Sequence, residues 1–211
     1  MAEVDEAMSR GKFITLEGID GAGKTTQRAS IEQFLLSRGI AHVTTREPGG
    51  TPLGEKLREL LLGADARPNP ETETLMMFAA RREHLDKVIV PALNAGTWVL
   101  CDRFTDATFA YQCGGSGVDW GRVEALERWV HPALQPDLTL FFDVEPEVGL
   151  GRAQRIRQPD RFEREAVDFY HRVRAAYLRR AQEHQARIRR IDANRAATEV
   201  HQEVQRILSS L

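Results

Sequence analysis

The chain has 211 residues, 42% of them hydrophobic and 28% charged, with 29 basic against 31 acidic side chains and a net charge of −2. That length supports one α/β domain whose core needs no staples, and it is too short for two domains of full size. The charge balance excludes the strongly basic profile of a dedicated nucleic-acid binder, while two cysteines, Cys101 and Cys113, exclude a disulfide framework, and no Cys/His spacing fits a zinc site.

The first residues carry Glu3, Asp5 and Glu6 and no apolar run, unlike a signal peptide, and no window holds eighteen uncharged apolar residues. The expectation is a cytoplasmic protein with no membrane partner. A β-rich run is predicted at Lys12–Glu17 and a helix over Thr25–Ser37. Between them Gly18-Ile19-Asp20-Gly21-Ala22-Gly23-Lys24-Thr25 fits G-x-x-x-x-G-K-[ST], followed by Thr26, and the strand-before, helix-after context is right. The glycines let backbone N–H groups converge on phosphate oxygens, and the following helix aims its positive end at the same anion. Lys24 can neutralise the β- and γ-phosphates and Thr25 can ligate Mg²⁺. A nucleoside triphosphate is the expected ligand. Asp20 is an acid among phosphate-binding amides, which suits a cation or a sugar hydroxyl better than bare phosphate.

Next come a strand at Ala41–Thr45 and Thr45-Arg46-Glu47-Pro48-Gly49-Gly50-Thr51, charges set beside chain-reversing residues, then a helix at Leu53–Leu61 that carries Arg58. A long helix is predicted over Glu71–Asn94. Within it, Leu75-Met76-Met77-Phe78-Ala79-Ala80-Arg81 puts an apolar or aromatic group three or four residues before an arginine, on one face. Strand Thr97–Cys101 runs into Asp102-Arg103-Phe104, an acid and an arginine that are costly beside a buried strand unless ligated. Thr108, Tyr111 and Gln112 follow at helical spacing. Helices at Arg122–Val130, Glu163–Gln185 and Ala196–Leu208 and strands at Leu138–Phe142 and Arg187–Ile191 complete the pattern. Strands alternating with helices predict a five-stranded parallel sheet covered on both faces, with ligands at the carboxyl ends of the strands. Between Arg152 and Arg195 lie 13 arginines against six acidic residues, a local balance of +7. That segment reads either as a solvated helical face or as a surface for phosphate.

No Asn-Lys-x-Asp sequence is present to read guanine, and a motor needs more chain, which favours a small-molecule kinase. The ordered set G-x-D-G-A-G-K-T, T-R-E-P-G-G-T, L-M-M-F-A-A-R, D-R-F and A-Y-Q resembles the bacterial thymidylate kinases. The likeness runs from about Lys12 to the C-terminus through Pro136–Asp143 and Asp160–Glu163. It implies the nucleoside monophosphate kinase fold in a single domain of residues 1–211, with residues 1–11 as an extension and about 152–162 as an arginine-rich lid. It further implies ATP-dependent phosphorylation of dTMP to dTDP in dTTP biosynthesis, with Mg²⁺, by a homodimer. For that contact the sequence itself offers only apolar-striped helices, Glu71–Asn94 the best of them, and such stripes more often face a core. Residue by residue, Asp102 and Thr25 belong to the Mg²⁺ environment and Arg58 and Arg103 to the dTMP phosphate. Asp20 faces the 3′-hydroxyl or the metal, and Glu47 lies among the substrate residues. Arg81 donates to thymine O4 with Thr108 and Gln112 near N3, and Tyr111 presses on the sugar. Either Met77 or Phe78 covers the base. Lys24, Arg103 and the lid arginines Arg155 and Arg157 carry the transfer. Cys113-Gly-Gly-Ser116-Gly departs from the family's usual glycine run ending in a basic residue. A deoxynucleoside kinase or another nucleoside monophosphate kinase remains as an alternative at this point, and more remotely a non-catalytic ATP-dependent nucleic-acid-binding module.

Overall fold

Strands β1 (Phe13–Glu17), β2 (His42–Arg46), β3 (Trp98–Asp102), β4 (Leu138–Asp143) and β5 (Ile188–Asp192) form one parallel sheet in the order β2-β3-β1-β4-β5. The computed structural model describes residues 10–63, 68–153 and 161–211. Each strand falls within one residue of its predicted position, and the five-stranded parallel expectation holds. Every residue of the central strand β1 is buried, as a sheet covered on both faces requires. Alternate side chains feed different cores. Ile14, Leu16 and Leu100 join a cluster with Ile31, Phe142 and Tyr177, whereas Phe13, Val99 and Cys101 join one with Phe78, Ile89 and Phe109.

The helices are α1 (Lys24–Ser37), α2 (Pro52–Leu62), α3 (Pro70–His84), α4 (Val90–Asn94), α5 (Thr105–Thr108), α6 (Trp120–Val130), α7 (Pro146–Ala153), α8 (Arg161–Glu183) and α9 (Ala197–Leu208). The helix predicted over Glu71–Asn94 is divided: α3 widens into a π-helical turn at Leu85–Ile89 before α4. Pro91 has no N–H for the helical ladder, and the wider turn sits just ahead of it. A second π-helical stretch, Phe109–Gly115, continues α5 and packs on α8. There Gly114 and Gly115 leave no room for a Cβ, which would strike Arg172 O and the Phe169 ring respectively. Helix α7 was not among the predicted elements; it is short and includes Gly149 and Gly151. No helix among the described residues is long and apolar enough to cross a membrane.

Candidate active site

The carboxyl ends of β1, β2 and β3 open on one side of the sheet, where the strand order reverses about β1. From β1 the chain enters the glycine loop, and Gly23, at φ 88°, starts α1 without a side-chain cap. The first-turn amides of α1 are therefore left for an anion. Gly21 is pressed against α7: a Cβ there would overlap the carbonyl oxygen of Gly149. Gly18 also takes a positive φ, and the side chains of Ile19 and Ala22 are buried in the core, so these positions offer main chain to a ligand. Lys24 is folded back onto its own loop, with Nζ donating to Gly18 O and Ile19 O at 2.9 Å each. Burial, and then the neighbouring charge of Arg103, push its ammonium down to about 8.

A charged cleft of about 470 Å³ lies above the loop, bordered by Asp20, Lys24, Thr25, Thr26, Asp102 and Arg103. Arg46, Arg58 and Arg152 also reach it. Arg58 donates to Pro48 O at 2.9 Å and Arg46 pairs with Glu55 at 2.8 Å, both holding the turn that Thr51 caps by accepting from Gly54 N. One carboxylate oxygen of Asp102, Oδ1, is buried and has no partner among the described residues. Arg103 reaches across to Asp20, Nη2 to Oδ1 at 2.7 Å, with its guanidinium 4.6 Å from the Tyr111 ring centroid. Asp20 Oδ2 also accepts from Tyr170 on α8, at 3.4 Å. In this structure, then, the loop acid holds an arginine.

A second cleft, of about 300 Å³, opens between α2, α3 and the Thr105–Gly115 segment. Leu61, Leu62, Met77, Phe104 and Ala107 give it apolar walls, and Glu73, Arg81, Thr108, Tyr111 and Gln112 give it polar ones. Arg81 is 2% exposed. Its Nε donates to Glu47 Oε2 at 2.7 Å and its Nη2 to Thr108 Oγ1 at 2.9 Å, while Nη1 is buried without a partner among the described residues. Glu47 also accepts from His84 Nδ1 at 3.0 Å. Burial alone would raise this carboxyl, but the Arg81 charge and the His84 contact outweigh it and hold Glu47 below its ordinary range. Gln112 donates from Nε2 to Glu73 Oε1 at 2.6 Å. A carboxylate only accepts, so the amide nitrogen must face Glu73, leaving the Gln112 carbonyl oxygen as an acceptor. The Tyr111 hydroxyl is likewise buried, with no hydrogen-bond partner among the described residues.

The two clefts share Asp20, Glu47, Arg58 and Arg103. Of the two candidates for covering a base, Met77 lines the cleft and Phe78 does not. Phe78 is 2% exposed in the core, its ring 4.7 Å beneath the Arg81 guanidinium, because one helical step turns it away from the face that carries Met77. Arg155 and Arg157, the arginines expected of a lid, lie outside the described residues. Sequence reasoning did not single out Arg46 or Glu73, although Arg46 stands inside the T-R-E-P segment. It also missed a third cleft of about 460 Å³, beside the loop, formed by Ala22, Arg152, Asn194, Ala197 and Val200. That cleft joins segments far apart in sequence and leaves no local signature.

The family model for thymidylate kinase matches residues 16–204. The chain belongs to the thymidylate kinase family. It is similar to the thymidylate kinase of Methylobacillus flagellatus, 60% identical over 92% of this chain and 95% of that one. The thymidylate kinase of Nitrosospira multiformis is 56% identical over 96% and 98% of the two chains. Among solved structures, the crystal structure of thymidylate kinase from Ehrlichia chaffeensis superposes with a TM-score of 0.76 at 36% identity, over 95% of this chain and 99% of that one. With membership of this family, the chain is an enzyme.

Proposed function

We propose that this enzyme transfers the terminal phosphoryl group of ATP to the phosphate of dTMP by direct in-line displacement, supplying dTDP for dTTP biosynthesis in the cytoplasm. The observation that carries the reading is the shared wall of the two clefts. Arg58 and Arg103 stand where a phosphate-binding cleft meets a cleft bordered by both apolar and base-reading groups. Two cations at that junction suit an acceptor that brings its own phosphate, in contrast to a nucleoside. Such an acceptor is already anionic, so no general base is required. The protein's work is to hold two polyanions in line and to spread the charge of the moving group.

Lys24 and the α1 amides hold the donor phosphates, with Gly18–Thr26 as their cradle and the third cleft taking the donor's nucleoside end. Asp102 Oδ1 and the Thr25 hydroxyl border one cleft, and these hard oxygen donors fit Mg²⁺; the orphaned, buried Oδ1 is the mark of that fit. Bound there, Mg²⁺ supplies charge neutralisation on the phosphates. Arg103 and Arg58 hold the acceptor phosphate, Arg81 Nη1 donates to O4 of the base, and the Gln112 carbonyl accepts from N3–H. Thr108 fixes Arg81, Tyr111 lies against the sugar, and Met77 covers the base. Arg155 and Arg157 add transition-state charge from the lid. The chain acts as a homodimer, supported by Leu75, 56% exposed, and Trp129, 79% exposed, flanking an apolar groove between α3 and α6. Measuring ATP consumption with each nucleoside monophosphate tests the activity, and dTMP must be the best acceptor. Sedimentation at micromolar concentration tests the dimer, and a monomer there removes it.

A further inference from the structure

Glu17 is the last residue of β1, directly ahead of the glycine loop, and its side chain is fully buried. The phosphate chemistry has no use for a buried acid at this place, yet the group is fully engaged. Oε1 accepts from Phe104 N at 2.7 Å and Oε2 accepts from Tyr177 Oη, on α8, at 2.9 Å. The tyrosine is itself fixed, with its ring stacked on Phe141 at a centroid distance of 5.1 Å.

What this carboxyl touches matters because of the residue before Phe104. Arg103 has φ 69° and is the only non-glycine residue with positive φ among the described residues. A non-glycine side chain in that region is strained and persists only where its surroundings over-determine it. Here they do. The N–H of Arg103 donates to Leu16 O at 2.9 Å, the N–H of the next residue donates to Glu17, and Arg103 O accepts from Cys101 Sγ at 3.1 Å. Two consecutive amides of the β3–α5 turn are thus clamped by two consecutive residues of β1. This geometry aims the guanidinium at Asp20 and over Tyr111, at the junction of the two clefts.

We propose that Glu17 is a positioning residue: by accepting from Phe104 N while anchored by Tyr177, it holds Arg103 in its left-handed conformation and so points its guanidinium at the acceptor phosphate. The inference rests on the role given to Arg103 under the proposed function. Hydrogen bonding, and not charge, is what the position uses. Burial and then Asp106 push the Glu17 carboxyl up to about 8, against the lowering effects of the Phe104 amide, Arg103 and Tyr177. A glutamine can accept from the same amide and pair with the same hydroxyl.

The test uses the full chain, with steady-state kinetics at neutral pH and thermal unfolding for Glu17→Ala, Glu17→Gln and Tyr177→Phe, each alone and combined with Arg103→Ala. Glu17→Ala is expected to lower kcat/KM for dTMP by about 100-fold, the scale of one lost transition-state donor, with KM for ATP changed by less than about threefold. Glu17→Gln is expected to stay within about threefold of wild type, since uncharged hydrogen bonding is retained. In the Arg103→Ala background the Glu17 substitutions are expected to add nothing, because coupled residues are not additive. Additive losses, equal damage to ATP and dTMP kinetics, or a folded Glu17→Gln as impaired as Glu17→Ala each overturn the proposal. Should Glu17→Ala fail to fold, Glu17→Gln and the Tyr177→Phe cycle decide by the same criteria. A wild-type enzyme that does not phosphorylate dTMP brings down the functional reading and this inference with it, whereas an active wild type with an additive cycle removes the inference alone.

Discussion

Removing the carboxylate of Glu47 provides a sharp test of how the base-binding cleft is built. Arg81 and His84 are 2% and 0% exposed, and Glu47 is the acceptor for both, at 2.7 and 3.0 Å. Glu47→Ala strands a guanidinium in the interior together with an imidazole N–H. Breaking a buried pair by deleting one partner costs about 3–5 kcal/mol. For a chain of this size each kcal/mol lowers the midpoint by about 2–4 °C. The expected drop is therefore roughly 6–20 °C by differential scanning calorimetry, on those two scales together. Glu47→Gln should cost less, because its carbonyl can still accept from one of the two donors. The sign of the pH dependence follows from the lowered folded-state pKa of Glu47, whose ordinary value is 4.5. Its stabilisation is fully present above the unfolded value and is lost as pH falls through the folded one, so wild type and variant should converge in acid. A Glu47→Ala midpoint within about 2 °C of wild type, less than 1 kcal/mol on that scale, contradicts the reasoning, as does a gap that persists in acid.

Three further outcomes follow from the same geometry. Lys24 sits near 8 in the free protein, so kcat/KM for ATP should fall as pH rises through about 8, and kcat at higher pH because bound phosphate restores the ammonium; a flat kcat/KM profile to pH ~9.5 sinks this account. Because Arg81 can only donate, acceptors should rank dTMP, then dUMP by the loss of one methyl worth about 1–3 kcal/mol, with dCMP suppressed by up to roughly 10⁴ and UMP penalised by Tyr111; dCMP ahead of dUMP would show that Arg81 does not read the base. Replacing Arg155 and Arg157 together with alanine should lower turnover by at least about 100-fold while dTMP affinity, measured by calorimetry, changes little; undiminished turnover removes them from the transition state.

The sheet and the loop were legible because their signals are local. Alternating strand and helix patterns gave the parallel sheet, and G-x-x-x-x-G-K-T between a strand and a helix needs no tertiary information. Individual site positions divided on finer physics. Met77 and Phe78 differ by one helical step, about 100° of rotation, and residue type favoured the aromatic while the helix face favours the methionine. Glu73 carries no motif signal, since its importance lies in fixing which end of the Gln112 amide turns away from it. Glu17 reads from sequence as the end of a strand. Its function depends on a backbone dihedral at Arg103, 86 positions along the chain, and no periodicity encodes that.

The active-site cations have internal partners: Lys24 on loop carbonyls, Arg58 on Pro48 O, Arg103 on Asp20, Arg152 on Ala193 O. Binding a polyanion is then largely an exchange of acceptors. In the Arg103–Asp20 pair the carboxylate is 57% exposed and the guanidinium 19%, so the acid can return to water while the half-buried arginine takes the phosphate in its place. The same cannot be said of groups that have nothing to exchange. Seven buried side-chain polar atoms lack a hydrogen-bond partner among the described residues, and three of them, Arg81 Nη1, Asp102 Oδ1 and Tyr111 Oη, belong to residues that line the two substrate clefts. Each such atom costs about 1–3 kcal/mol while unmet. A ligand that meets them recovers that cost in addition to its own contacts, whereas one of the wrong hydrogen-bonding pattern leaves it in place. Selectivity for the base therefore concentrates at Arg81, where the donor is buried and single. The exchangeable arginines around the phosphates contribute affinity that many nucleotides can share.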